Sequence, residues 1–369
     1  MEIKTITCHD VNNYGASLQA FALQTYLSSL GHDVKIIDYL PKYLCTYNIW
    51  KLNTESRIYK VSKYFPPLKL LGVLKNFIHF YPTRKRVDKF TEFKNIYLKL
   101  TKHYSTYKGL LTDPPSADIL IVGSDQVWNT LLPNGKDFAF FLQFGDLGQK
   151  RISYAASFGI SYIDNNYSVP INSFLKNFNA ISIRETSGLN ILNSMKINGE
   201  LVCDPVCLLS KNEWIKYLHI SRRSITEKYL LIYDIFGDNP NIEILAKKFS
   251  KEHNVKIVAI NNIKQKKYAD ININDGGPIE FVELISNAEF VIADSFHATA
   301  FSTILHVPFA VFYNRSNISR ISDYLTFLDL NDRLNPQELN LEINWELVSK
   351  KITSLSNKSK LFLDKSINL

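Results

Sequence analysis

The chain has 369 residues, of which 46% are hydrophobic and 21% charged, proportions of a folded globular protein that exclude a disordered or fibrous one. No window approaches the roughly 18 uninterrupted apolar residues of a membrane-spanning helix, and the length suits two domains better than one core. The net charge of +8 admits anionic partners. No helix-turn-helix, RNA-recognition or zinc-finger pattern accompanies it, so nucleic acid is not an expected partner.

Met1 is followed by Glu2 and Lys4, which does not read as a secretory signal, and the expected location is the cytoplasm. Ile3–Thr7 reads as a strand. It runs into His9-Asp10-Val11-Asn12-Asn13-Tyr14-Gly15, an amphipathic helix follows over Ser17–Leu30 with Gly31 as its stop, and Val34–Asp38 is a second strand. This order within about 40 residues is a βαβ unit and predicts a parallel sheet.

A basic stretch follows. Between Lys51 and Lys108 stand 14 Lys and Arg against three acids, with aromatics interleaved. Two readings apply: a surface for anionic lipid headgroups or a lipid-pyrophosphate acceptor at the inner face of the cell membrane, or a solvated helical insertion whose aromatics fill their own small core.

Regular α/β order resumes with a strand over Ala117–Val122, ending in Gly123-Ser124-Asp125-Gln126-Val127-Trp128-Asn129. Further strands are expected at Arg151–Ala156, ending at Ser157-Phe158-Gly159, at Ala180–Arg184, and at Leu201–Cys203. Leu208–Glu227 reads as polar and helical. A second α/β set has strands at Tyr229–Tyr233, Val255–Ile260, Phe290–Ala293 and Phe309–Phe312, with helices over Ile242–Glu252, Pro278–Ala288 and from His297 through Leu305. The predicted fold is therefore α/β, with two Rossmann-like parallel-sheet domains facing a cleft. One spans 1–220 with the insertion at about 45–110, the other 221–335, and a helical tail over 336–369 packs back across the first half.

In open α/β sheets, ligands bind at the carboxyl ends of strands, where backbone N–H groups and helix starts favour anions. This singles out a set of residues. Asn13, Tyr14 and Gly15 open the first helix, and Gly15 allows close backbone approach. Gly123, Ser124, Asp125, Gln126, Trp128 and Asn129 form a polar run beside a Trp whose ring suits a sugar face, or else Asp125 caps a helix and Trp128 is core. Ser157 and Gly159 end the adjacent strand. Arg184 offers a planar fork for carboxylate or phosphate, or an ion pair with Glu185. His297 ends a buried strand, where a neutral imidazole can give or take a proton. Gly276 and Gly277 precede a helix and form either an anion-binding start or a plain turn. Cys203 and Cys207 read as buried thiols rather than a zinc site, and no metal or cofactor is expected.

Taken together, Asn13-Tyr14-Gly15 with Leu18-Gln19 and Ala22-Leu23, Gly123 to Asn129, Ser153 to Gly159, Ser182-Ile183-Arg184-Glu185, Asp204-Pro205 and Asp294-Ser295-Phe296-His297 resemble the polysaccharide pyruvyl transferase family, from the first strand to about Arg333. The resemblance implies a GT-B-like fold and transfer of pyruvyl from phosphoenolpyruvate to a sugar of a cell-surface polysaccharide or its lipid-linked precursor, forming a ketal. It implies His297 as acid–base residue, Arg184 as donor clamp, and Glu185 and Ser295 among the substrate-binding residues. The family carries Arg two residues before this His, where Ser295 stands here. Two expectations follow: another cation supplies that charge, with Arg315, Arg320 and Lys150-Arg151 as the candidates, or the donor differs from the family's. The competing expectations are a GT-B glycosyltransferase using a nucleotide sugar and a non-catalytic glycan- or anion-binding relative.

Overall fold

A computed structural model describes residues 1–44, 80–146, 148–220, 225–235, 239–260, 265–313 and 319–368. Among these residues the first half is built on a seven-stranded parallel sheet in the order β3-β2-β1-β4-β5-β6-β7. Its strands are β1 (Glu2–Ile6), β2 (Asp33–Tyr39), β3 (Leu100–Tyr104), β4 (Ile119–Val122), β5 (Lys150–Ala156), β6 (Ala180–Ile183) and β7 (Glu200–Leu201). The second half holds a five-stranded parallel sheet, β10-β9-β8-β11-β12, from β8 (Tyr229–Tyr233), β9 (Lys256–Ile260), β10 (Ile271–Ile273), β11 (Phe290–Ala293) and β12 (Phe309–Val311). Central strands such as Ile119-Leu120-Ile121-Val122 are buried on both faces. This explains their unbroken apolar sequence.

In each sheet the strand order reverses at one point: between β1 and β4 in the first, between β8 and β11 in the second. A crevice opens at the carboxyl ends of strands on either side of such a reversal. The segments after β1 and β4 are His9–Gly15 and Gly123–Asn129, and the segment after β11 is Asp294–His297. The parallel expectation thus holds, while two edge strands, β3 and β10, are not among the expected ones. Both are short and partly exposed, and polar residues interrupt them: Thr101, Lys102 and His103 in one, Asn272 in the other. Among the described residues of the region 208–227, the helix covers only Lys211–Tyr217, less than expected.

Helix α1 (Tyr14–Ser29) follows β1 and is capped by Asn13, whose Oδ1 accepts from Ala16 N at 3.1 Å. Twelve of its residues are buried, so its sequence shows little amphipathic contrast. Within the basic stretch, residues 51–79 lie outside the described residues. Helix α2 (Phe80–Tyr97) describes part of the remainder, and its Phe90 and Phe93 are buried in the main core. Arg86 of α2 is also buried and joins the two halves. It donates to the Tyr14 hydroxyl, to Gly276 O (3.1 Å) and to Asn12 O (3.2 Å), and lies over the rings of Tyr14 and Phe90 at 4.3 and 4.8 Å. A cation removed from water needs such a shell of acceptors and ring faces. Tyr14 in turn stacks on Phe281 of the second half with centroids 4.5 Å apart.

A long closing helix spans Trp345–Asn368. It starts against the second half, where Trp345 stacks on His306 at 5.2 Å. It ends against the first sheet, where Ser359 Oγ accepts from Cys203 N at 2.8 Å and Ile367 O accepts from Lys150 Nζ at 2.9 Å. Cys203 and Cys207 are buried free thiols. No helix among the described residues is long and apolar enough to cross a membrane.

Candidate functional site

The loop after β4 makes a tight turn at Asp125, which takes a left-handed backbone conformation with φ 79°. Such a conformation is uncommon for a residue with a Cβ and persists where the surroundings fix it. Here Asp125 O accepts from Val127 N (2.7 Å) and Ser157 N (3.0 Å), and Oδ1 accepts from Gln126 N (2.8 Å). Next to it, β5 shifts register against β6 between Ser153 and Ala156, with Ala155 also left-handed (φ 54°). A bulge of this kind re-aims the residues that follow, which are Ser157, Phe158 and Gly159.

Arg184 leaves β6 and is the hub of the site. Its Nη1 donates to Asp204 Oδ2 and to Ser124 Oγ (3.1 Å), and its Nη2 to Asp125 Oδ1 (3.2 Å). Ser124 Oγ donates on to Asp204 Oδ2 at 3.0 Å. Burial pushes the Asp204 carboxyl up, but the Arg184 guanidinium and then His297 outweigh it and hold it well below the usual carboxylate range. Asp125 is lowered in the same way, burial being outweighed by Arg184, His297 and Arg320. The two fork nitrogens of Arg184 are therefore already engaged, and its Nε remains buried without a partner.

His297 enters from the second half on helix α3 (Phe296–Leu305, the helix after β11). Its ring packs on the backbone of Gly15, and its Nε2 lies 3.6 Å from Asp204 Oδ2, beyond hydrogen-bond reach. That Nε2 is buried and without a partner, as are Ser157 Oγ and Glu185 Oε2. Glu185 Oε1 accepts from Phe158 N (2.8 Å) and Gly159 N (3.2 Å). Ser295 stands at the N-cap of α3, yet its hydroxyl makes no capping bond. Buried polar atoms are nearly always paired. Four orphans among adjoining residues of one cleft mark a place that a polar ligand would complete.

Several expected site residues are placed otherwise. Trp128 is fully buried, donates Nε1–H to Phe140 O at 2.8 Å, and packs on Phe141 and Phe158. This corrects the expectation of a sugar-stacking face, because no part of the ring reaches solvent. Asn129 is buried and donates to Gln126 Oε1 at 2.6 Å, and the Gln126 side chain lies against Gly159 (φ 61°), so both shape the loop from within. Tyr14 is buried and serves the junction of the halves, as does Gly276 through its carbonyl. Gly277 N is taken by Glu280 Oε2 at 3.0 Å. That carboxylate already occupies the helix start, which corrects the anion-binding expectation there. Gly123 is buried against Thr7 and Leu23, and Asn13 is an exposed cap at the rim.

Asp204 is legible in the sequence only as half of a motif, and nothing near it signals the pairing with Arg184. Of the candidate cations, Arg315 lies outside the described residues. Arg151 sits near the amino end of β5, away from the cleft, and donates to the carbonyls of Leu142, Gln149, Phe144 and Asp146. Arg320 is at the site. It is the second residue of helix α4 (Ser319–Leu328), whose Asp323 accepts from Thr186 N at 3.0 Å, immediately after Arg184-Glu185.

Two parallel α/β halves with facing reversal points define a GT-B-like chain. The sequence model described as polysaccharide pyruvyl transferase matches residues 13–317, and the chain belongs to that family. The family indicates a transferase acting on polysaccharides. No curated protein compared with the chain matches it. Among solved structures, it is similar to UDP-N-acetylglucosamine 2-epimerase from Rickettsia bellii, with 11% identity, TM-score 0.51, and coverage of 100% of this chain and 95% of that one. It is also similar to a candidate UDP-N-acetylglucosamine 2-epimerase from Listeria monocytogenes, with 8% identity, TM-score 0.50, and coverage of 98% and 89%. At such identities the likeness is one of fold alone.

Proposed function

We propose that the chain moves a pyruvyl group from phosphoenolpyruvate to two hydroxyls of a glycan, on a cell-surface polysaccharide or its lipid-linked precursor, and releases phosphate. The observation that carries this reading is the cluster of unpartnered buried atoms: Arg184 Nε, His297 Nε2, Ser157 Oγ and Glu185 Oε2. It offers a proton-transfer group beside fixed donors, as ketal formation requires. His297 delivers a proton to the donor's methylene carbon, and the C2 centre becomes cation-like and accepts the first sugar oxygen. Phosphate then leaves with its bridging oxygen, and the second sugar oxygen takes its place. The π bond and the C2–O bond to phosphate are replaced by one C–H and two C–O bonds, and the two hydroxyl protons balance the one given to carbon and the one carried off by phosphate. No redox cofactor enters this balance.

Catalysis by a positioned acid–base group of this kind contributes about 10²–10⁴ in rate. The test is incubation with phosphoenolpyruvate and a diol-bearing glycan, following phosphate release and the new ketal methyl signal, beside a panel of nucleotide sugars. Phosphate release with ketal formation is the expected result. Turnover of a nucleotide sugar, with phosphoenolpyruvate inert, would replace this reading with a glycosyltransferase.

A further inference from the structure

We propose that Arg320, rather than Arg184, is the principal cation that grips the anionic donor. This deepens the pyruvyl-donor reading and rests on it for the donor's name, although the site itself is defined by anion chemistry.

Arg184 has little left to give. Three of its five N–H groups are committed, two on Nη1 to Asp204 and Ser124 and one on Nη2 to Asp125, which leaves the Nε–H and one N–H on Nη2. Position 295, at the start of α3, carries a hydroxyl and no charge. Arg320 is differently placed. It is partly buried and makes no hydrogen bond or ion pair with any described residue.

Its location is fixed from two sides. One turn after it, Asp323 Oδ2 accepts from Thr186 N at 3.0 Å, pinning α4 to the helix that begins just after Arg184-Glu185. A further residue on, Tyr324 meets the Phe296 ring edge-on at 5.5 Å, and Phe296 in turn lies 5.7 Å from the Arg184 guanidinium carbon. These contacts bring the first turn of α4 beside the Ser295-Phe296-His297 start of α3 and beside Arg184.

Two guanidiniums held together away from bulk water repel each other. Burial and then the Arg184 charge lower Arg320, against the opposing pull of Glu185 and Asp125. An anion seated between Arg320, the Arg184 Nε–H and the free Ser295 hydroxyl removes that conflict. The five-donor planar fork of Arg matches either the phosphate or the carboxylate of such a ligand.

The test is calorimetric titration of the full chain with phosphoenolpyruvate, inorganic phosphate and UDP. It uses wild type, Arg320→Gln, and the double variant Ser295→Arg/Arg320→Gln, with a melting curve for each. Removing one hydrogen-bonding charge from a binding site weakens affinity by about 10–100-fold. Arg320→Gln is expected to lose phosphoenolpyruvate affinity by that much while melting close to wild type, since it breaks no hydrogen bond or ion pair among the described residues. The double variant, which moves the cation to the neighbouring position 295, is expected to recover part of it.

Arg320→Gln binding every anion as wild type does would overturn the proposal, and so would wild type that binds none of the three. Wild type that ignores phosphoenolpyruvate yet takes phosphate or UDP through Arg320 would sink the pyruvyl donor and uphold the Arg320 site.

Discussion

The imidazole of His297, from the second half, rests directly on the Cα of Gly15, from the first, so that a Cβ built at Gly15 would overlap Nδ1. The glycine after Asn13-Tyr14 is thus required by contact across the cleft. Gly15→Ala leaves the helix start intact but forces the ring aside. A displacement of about 1 Å in a catalytic group costs on the order of 10²-fold. Turnover is expected to fall by about that factor, with far-ultraviolet circular dichroism and melting near wild type. Wild-type turnover in Gly15→Ala would show that the ring position is immaterial to the reaction.

His297→Gln keeps a side chain of similar reach but cannot transfer a proton. Its turnover is expected to drop by about 10²–10⁴ with donor binding retained, measured by phosphate release and by titration. Turnover within a factor of about two of wild type would remove His297 from the chemistry.

Trp128 packs inside the loop, and its truncation separates packing from sugar binding. Trp128→Phe keeps the ring stack on Phe141 and Phe158 but leaves Phe140 O without its donor. A buried unsatisfied acceptor costs about 1–3 kcal/mol, read as a lowered denaturation midpoint. Acceptor KM is expected to stay unchanged. A KM increase without loss of stability would return Trp128 to the sugar.

The carboxylates of Asp204 and Asp125 are held below their ordinary value of 3.8 in the folded chain. The unfolded chain therefore binds more protons in the window beneath 3.8, so their stabilising contribution is full above it and shrinks as pH falls. Denaturation midpoints taken from about pH 5 to about pH 3 are expected to decline, and to decline less steeply in Asp125→Asn, which removes one of the two groups. Equal slopes in both proteins would show that Asp125 does not contribute in this window.

Strands are legible in the sequence wherever burial on both faces writes an unbroken apolar run, as at Ile119–Val122, Tyr229–Tyr233 and Phe290–Ala293. β3 and β10 are not, because edge strands keep polar residues and lose the run. His297 and Arg184 can be found from their places at strand ends. What Arg184 touches cannot, since Asp204 lies 20 residues and Ser124 60 residues away along the chain. The direction in which Trp128 points is equally hidden: a Trp inside a polar loop reads the same whether its ring faces a sugar or Phe141.

The helix Trp345–Asn368 belongs to the second half by sequence and covers the first sheet by contact. The chain thus crosses between the halves twice, and cutting it once does not yield two self-sufficient pieces. A fragment ending before residue 221 would bare the seat of Phe362 beside Tyr154 and strand the Cys203 amide. The complementary fragment would carry a helix whose first part is seated on His306 and whose last part has nothing to cover. The halves are therefore expected to melt in a single cooperative transition, and separated fragments to reconstitute the cleft only by reassociating through that helix.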